Sequence, residues 1–151
     1  GIPNVSNKRE GTRLIAELLK TDKVITVKPA VNSGHDSGTN LPTNAENANN
    51  SKGSGSTIWF DNSKDGVVYG EGKAAKNADG TYSEKTQTIL GHEFLHTENA
   101  ANGTQDRSES GVKDPDSPSN YPTTMTKDEV NVREKEKAIR VEQNEKERAT
   151  K

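Results

Sequence analysis

The stretch Gly91-His92-Glu93-Phe94-Leu95-His96 constrains this chain more than any other. Its two histidines stand four residues apart, so on an α-helix they project from one face, close enough for both imidazoles to bind one metal ion. Glu93 follows the first of them, where a carboxylate can take a proton from a water that zinc activates. Two of the three histidines in the protein fall within this one turn. A fold that uses them must put residues 92–96 on a helix and turn the histidine face towards a cleft. It must also bring a third ligand from elsewhere in the chain, since catalytic zinc ordinarily takes three protein ligands.

The flanking residues predict that helix. Ser83 reads as an N-cap with Glu84 early in the first turn, and Gly103 as the stop, so the helix is expected to reach about Ala101. Ile89, His92, Glu93 and His96 share one side, while Leu90, Phe94, Leu95 and Ala101 are available to anchor the other. Upstream, Leu14, Ile15, Leu18 and Leu19 recur at helical spacing in a segment from about Ser6 to Lys20. Val24-Ile25-Thr26-Val27 reads as a strand that stops at Pro29. Ser56 to Asp61 is the best strand, and Asn62 to Gly66 would turn it back as a hairpin with Val67-Val68-Tyr69. Thr126 to about Arg148 is expected as a charged C-terminal helix. Only Val130, Val132, Ala138, Ile139 and Val141 are apolar there, and the interleaved charges read as a solvated face.

These elements predict one small α+β domain over residues 1–151. Its core must be small, because hydrophobic residues make up 26% of the chain against nearly half in an ordinary domain. The Asn, Ser, Gly and Thr of residues 32–56 accordingly read as a long flexible surface loop carrying a solvent-exposed His35, and the C-terminus is expected to fray. Bound metal would add stability to so marginal a core. A net charge of −2 argues against a dedicated nucleic-acid binder, and the absence of cysteine excludes disulfides and a thiolate zinc cage. Neither a signal peptide nor a membrane-spanning run is visible, so no membrane partner is expected.

The third ligand stays open on residue chemistry. The metzincin arrangement is missing, because Asn99 and Asn102 stand where its glycine and histidine would fall. Glu98, two residues past His96, points away around the helix. Asp106 lies in Gly103-Thr104-Gln105-Asp106, which resembles the Gly-Thr-x-Asp ligand segment of aspzincins without the tyrosine and glycine expected after it. Glu129 begins the last helix, although Thr126-Lys127-Asp128-Glu129 is also a capping-box pattern. Asp106 and Glu129 are thus both candidates.

Three segments together resemble the NleD-like effector zinc metallopeptidases, found among type III secreted effectors and as toxin domains of Rhs and other polymorphic bacterial toxins. They are Lys52 to Phe60, then Leu90 to Thr97 with Asn102-Gly103, then Asp128 to Arg133 with Glu136 to Glu142. The third keeps an acidic pair, Asp128-Glu129, then Glu136 and Arg140, with Lys137 in place of an asparagine. The resemblance implies Glu129 as the ligand completing His92 and His96 on Zn2+, with Glu93 as the catalytic base. It implies a zincin-like domain with a short antiparallel sheet, an active-site helix and a C-terminal helix. The strand from Thr57 to Phe60 would be an edge above the zinc helix, where a peptide adds as a further strand. The function implied is that of a monomeric zinc endopeptidase, secreted or delivered into a target cell, which cuts a protein or peptide substrate and is countered by a cognate immunity protein. The competing expectation is a non-catalytic, zinc-stabilised protein-binding module.

Overall fold

The computed structural model describes residues 10–61 and 75–149. The four residues before Glu10 in the expected first helix, and the expected hairpin partner Val67-Val68-Tyr69, lie outside the described residues. Within them the chain is an α+β domain. In order come α1 (Glu10–Lys20), β1 (Ile25–Pro29), β2 (Thr39–Pro42), a 3-10 turn at Asn47–Asn49, β3 (Ser56–Phe60), α2 (Thr86–Ala101), β4 (Glu109–Lys113), β5 (Thr124–Thr126) and α3 (Lys127–Glu142).

The larger sheet has the order β1-β3-β2. β3 pairs parallel with β1, Val27 opposite Ile58, and antiparallel with β2, Asn40 opposite Ile58. The sheet is therefore mixed, whereas the resemblance implies an antiparallel one, and only the β4–β5 ribbon is purely antiparallel. β3 is also the central strand and not an edge. Of its neighbouring aromatics, Trp59 and Phe60 are both half-buried, and Ile58 takes the fully buried position.

What displaces β3 from the edge is the polar stretch that reads as a loop. Residues 32–56 have little apolar surface to bury, but their backbone finds partners. Thr43 N–H donates to Gly55 O at 2.8 Å, Gly53 N–H to Asn47 O at 2.9 Å, and Ser54 N–H to Ala100 O of α2 at 2.8 Å. Small residues allow that approach. Gly53 has φ +79°, and a Cβ there would stand 2.0 Å from Ala101 O. Order in this segment comes from satisfied backbone groups, which a hydrophobicity count does not register.

The core is small, as composition requires. Leu14 of α1, Leu95 of α2, and Val132 and Ile139 of α3 form its buried cluster, with Leu18 and Phe94 packed against it. α2 is the central element, with α1, α3, β2 and β3 all against it. It starts at Thr86, not directly after Ser83, because the Ser83 hydroxyl accepts from Asn77 Nδ2 at 2.9 Å. Glu145, beyond α3, supplies the missing carboxylate at this helix start. It accepts from Lys85 N–H at 2.8 Å and from the Thr88 hydroxyl at 2.5 Å.

α3 begins where expected, with Thr126 as N-cap accepting from Glu129 N–H at 3.1 Å. It ends at Glu142, short of Arg148, and Asn144 at φ 52° turns the chain back. As far as Ala149 the chain after α3 is held against the body. Ala149 N–H donates to Lys76 O at 2.7 Å, and Arg148 is only 2% exposed. The charged face of α3 is not solvated: Arg133, Glu136 and Arg140 are buried, while Val141 is 75% exposed. Charge here is turned inward, and the reason lies at the histidines.

Candidate metal centre

His92 and His96 project from α2 towards the first turn of α3. Gly91 makes this possible, since a Cβ at that position would lie 2.9 Å from Ile139 Cδ1. With hydrogen there instead, α3 packs close enough for Glu129 to reach both rings. Glu129 Oε2 stands 2.8 Å from His96 Nε2 and 3.3 Å from His92 Nε2, and the two Nε2 atoms are 3.0 Å apart. These three donor atoms form the group able to hold a metal ion among the described residues. Only half of the capping box forms: Glu129 N–H donates to the Thr126 hydroxyl, while the Glu129 carboxylate caps nothing and faces the histidines and Arg133.

The outward ring nitrogens are fixed by carboxylates. His92 Nδ1 meets Glu136 Oε1 at 2.7 Å, and His96 Nδ1 meets Asp128 Oδ2 at 2.6 Å. A carboxylate accepts, so each Nδ1 carries a proton, and Nε2 is the nitrogen left to ligate when the ring is neutral. Asp128 is held in turn by Asn99 Nδ2 at 2.7 Å. Glu129 Oε1 accepts from Arg133 Nε at 2.6 Å, which leaves Oε2 to face the histidines.

The electrostatics favour positive charge at this point. Burial opposes charging of His96, but the Asp128 and Glu129 carboxylates outweigh it and raise its pKa to about 9. Burial likewise opposes charging of His92, and Glu129 with Glu136 carries it well above the ordinary imidazole range. Glu129 is held well below the ordinary carboxylate range by the same two rings, against the effect of burial. Behind the ligands, ion pairs join Glu84, Asp114, Asp116, Glu129, Glu136 and Glu145 to the guanidiniums of Arg133, Arg140 and Arg148. Two imidazoles and one carboxylate whose donor atoms lie 2.8–3.3 Å apart are a donor set that zinc takes. The residues present fit such an ion.

Glu93 lines the same cleft, a cavity of about 310 Å3 bounded also by Ser37, Gly38, Asn40, Gln105 and Arg107. Its side chain is buried, which pushes its pKa above the ordinary carboxylate range against the opposing pull of His92 and His96. The strand bordering the cleft is β2: Asn40 Nδ2 donates to Glu93 O at 2.8 Å and to Thr97 Oγ1 at 3.1 Å.

Of the sequence candidates, His92, Glu93, His96 and Glu129 come together and Asp106 does not. The Asp106 carboxylate accepts from Ser108 N–H at 3.0 Å and from the Ser108 hydroxyl at 2.6 Å, which holds its pKa down. His35 is exposed and stacks on Trp59, ring centroids 3.9 Å apart. Sequence reasoning gives no role to Asp114, Asp116 or Arg148. A faint signal exists in α3, where Glu129, Arg133, Glu136 and Arg140 recur at four, three and four residues and so share one face.

No family model, curated protein or solved structure matches this chain.

Proposed function

We propose that the protein is a zinc-dependent endopeptidase of zincin type, in which His92, His96 and Glu129 hold the ion and Glu93 is the catalytic base. The observation that carries this reading is the convergence of Nε2, Nε2 and Oε2 beside the Glu93 carboxylate in one open cleft. Zinc, when bound, supplies a Lewis acid that polarises the scissile carbonyl and acidifies water. The chain does the rest. Asp128 and Glu136 keep both imidazoles in the ligating tautomer, and Arg133 keeps Glu129 to one oxygen. Glu93 accepts the proton of the attacking water and delivers it to the departing amine nitrogen. Its raised pKa suits a group that must both take and return a proton.

The substrate is a peptide in extended conformation. It adds to β2, the outer strand of the sheet among the described residues, which takes the place that the resemblance assigns to β3. The resemblance to NleD-like metallopeptidases supports delivery into another cell and a protein target there.

The test is Glu93→Gln, assayed on casein with zinc content measured in parallel. The variant should retain its zinc and lose cleavage by at least a hundredfold, the lower range for general acid–base catalysis. Cleavage at the wild-type rate in that variant, or wild-type cleavage insensitive to chelator, would remove the mechanism.

A further inference from the structure

The charges behind the ligands converge on one side chain that reaches the site from the far end of the chain. Arg148 follows the reversal at Asn144 and pairs with the strand-like backbone at Asn77. Its guanidinium is buried and spans two carboxylates. NH1 donates to Glu136 Oε1 at 3.1 Å, and NH2 donates to Asp116 Oδ2 at 2.6 Å.

Each contact leads to a different metal-ligating residue. Glu136 Oε1 is the same oxygen that holds His92 Nδ1. Asp116 Oδ2 lies 3.4 Å from Arg133 NH1, which also donates to Asp114 Oδ1 at 3.0 Å, while Arg133 Nε holds Glu129 Oε1. One guanidinium therefore sets the position of His92 by one route and of Glu129 by the other. Arg140 also holds Glu136, at 2.7 Å, but from one turn away on the same helix. Its contact with Glu136 is local to α3, and Arg140 has no contact with Asp116 or Arg133 of the kind that would reach Glu129.

We propose that Arg148 is a positioning residue for the metal centre, holding Glu136 and Asp116 so that His92 and Glu129 meet the ion. The planar fork of an arginine suits this work, because two carboxylates in fixed directions are matched by two N–H groups in fixed directions. A lysine, with one compact charge, holds one of them at a time. Removing the guanidinium also leaves two buried carboxylates less compensated, which lets them draw away from the ligands.

This proposal rests on the metal-binding reading above, and the experiment separates the two. Zinc affinity is measured by competition with a chromogenic chelator for wild type, Arg148→Met, Arg148→Lys and Arg13→Met. The last variant breaks ion pairs of Arg13 with Glu10 and with Glu98 of α2, which have no link to the ligands. Cobalt(II) absorption of each variant reports ligand geometry independently of activity, and circular dichroism reports folding. Arg148→Met should bind zinc roughly 10-fold more weakly with altered cobalt bands, the low end of what loss of a group bonded directly to a ligand costs, because Arg148 acts through Glu136 and Asp116. Arg148→Lys should recover part of the affinity, and Arg13→Met should match wild type. Should Arg148→Met fail to fold, Arg148→Lys is decisive, with binding several-fold weaker than wild type expected. Wild-type affinity and an unchanged cobalt spectrum in a folded Arg148 variant would overturn the positioning role alone. A wild-type chain that binds neither metal would overturn the metal centre and this role together.

Discussion

At the level of single residues, the centre shows how a charge takes its role from its surroundings. Glu129, Glu136 and Glu84 are all buried or half-buried glutamates, yet burial wins at only one of them. Glu129 and Glu136 each touch an imidazole and a guanidinium and stay ionised. Glu84 has guanidiniums 3.7 and 3.8 Å away, beyond hydrogen-bond range, and both carboxylate oxygens lack a hydrogen-bond partner. Burial therefore raises its pKa to about 7, with the charge of Arg148 opposing. A raised pKa means that the folded chain binds this proton more tightly than the unfolded chain does. The contribution to stability is complete below the ordinary value of 4.5 and is lost as pH rises through about 7. Urea unfolding of zinc-saturated wild type and Glu84→Gln should then diverge from pH 5 to pH 8. The variant should gain on the order of 2 kcal/mol relative to wild type, and parallel pH profiles would refute the buried, raised-pKa glutamate. Nothing in the sequence around Ser83-Glu84-Lys85 tells such a residue from an exposed first-turn acid, because the guanidiniums that surround it come from residues far along the chain.

Among the elements, the packing of α2 on α3 decides whether a site exists. The sequence reveals α2 clearly, since His92 and His96 on one face and Leu95 on another fit helical periodicity. It reveals less of what α3 offers, because a face of Glu, Arg, Glu and Arg reads as solvated until a buried histidine pair is set against it. Residues 32–56 were illegible for a related reason: β2 is ordered by backbone hydrogen bonds to β3, Ser54 is tied by its backbone to the end of α2, and polar composition carries no trace of either. Gly91 is the contact that permits the approach. Gly91→Ala gains helix propensity worth up to about 1 kcal/mol but places a methyl against Ile139, where overpacking costs about 1–3 kcal/mol. The substitution should therefore destabilise the wild-type background. With Ile139→Ala also present, the crowding is gone and Gly91→Ala should stabilise. Thermal unfolding of the four proteins in this double-mutant cycle reads the reversal, and the same sign in both backgrounds would show that the helices are not in tight contact here.

For the molecule as a whole, a small apolar core is joined to a buried ionic cluster that draws on α2, α3, the segment at Asp114 and Asp116, and the C-terminal return at Arg148. Such a cluster is costly to desolvate, and an ion held by His92, His96 and Glu129 would add to its stability. The domain should accordingly unfold at a lower temperature in chelator than in zinc, since an ion bound only by the folded chain stabilises it by mass action. The sequence supplied three of the four central residues directly, in His92, Glu93 and His96. For the fourth, residue chemistry leaves Asp106 and Glu129 equal and the resemblance favours Glu129; in the fold Ser108 occupies Asp106 and the imidazoles face Glu129. Zinc content after dialysis, measured by atomic emission on wild type, Glu129→Ala and Asp106→Ala, reads that difference. One zinc per chain should remain in wild type and in Asp106→Ala, and Glu129→Ala should lose it. Zinc retained in full by Glu129→Ala, or lost from Asp106→Ala while that variant stays folded, would contradict a centre built from His92, His96 and Glu129.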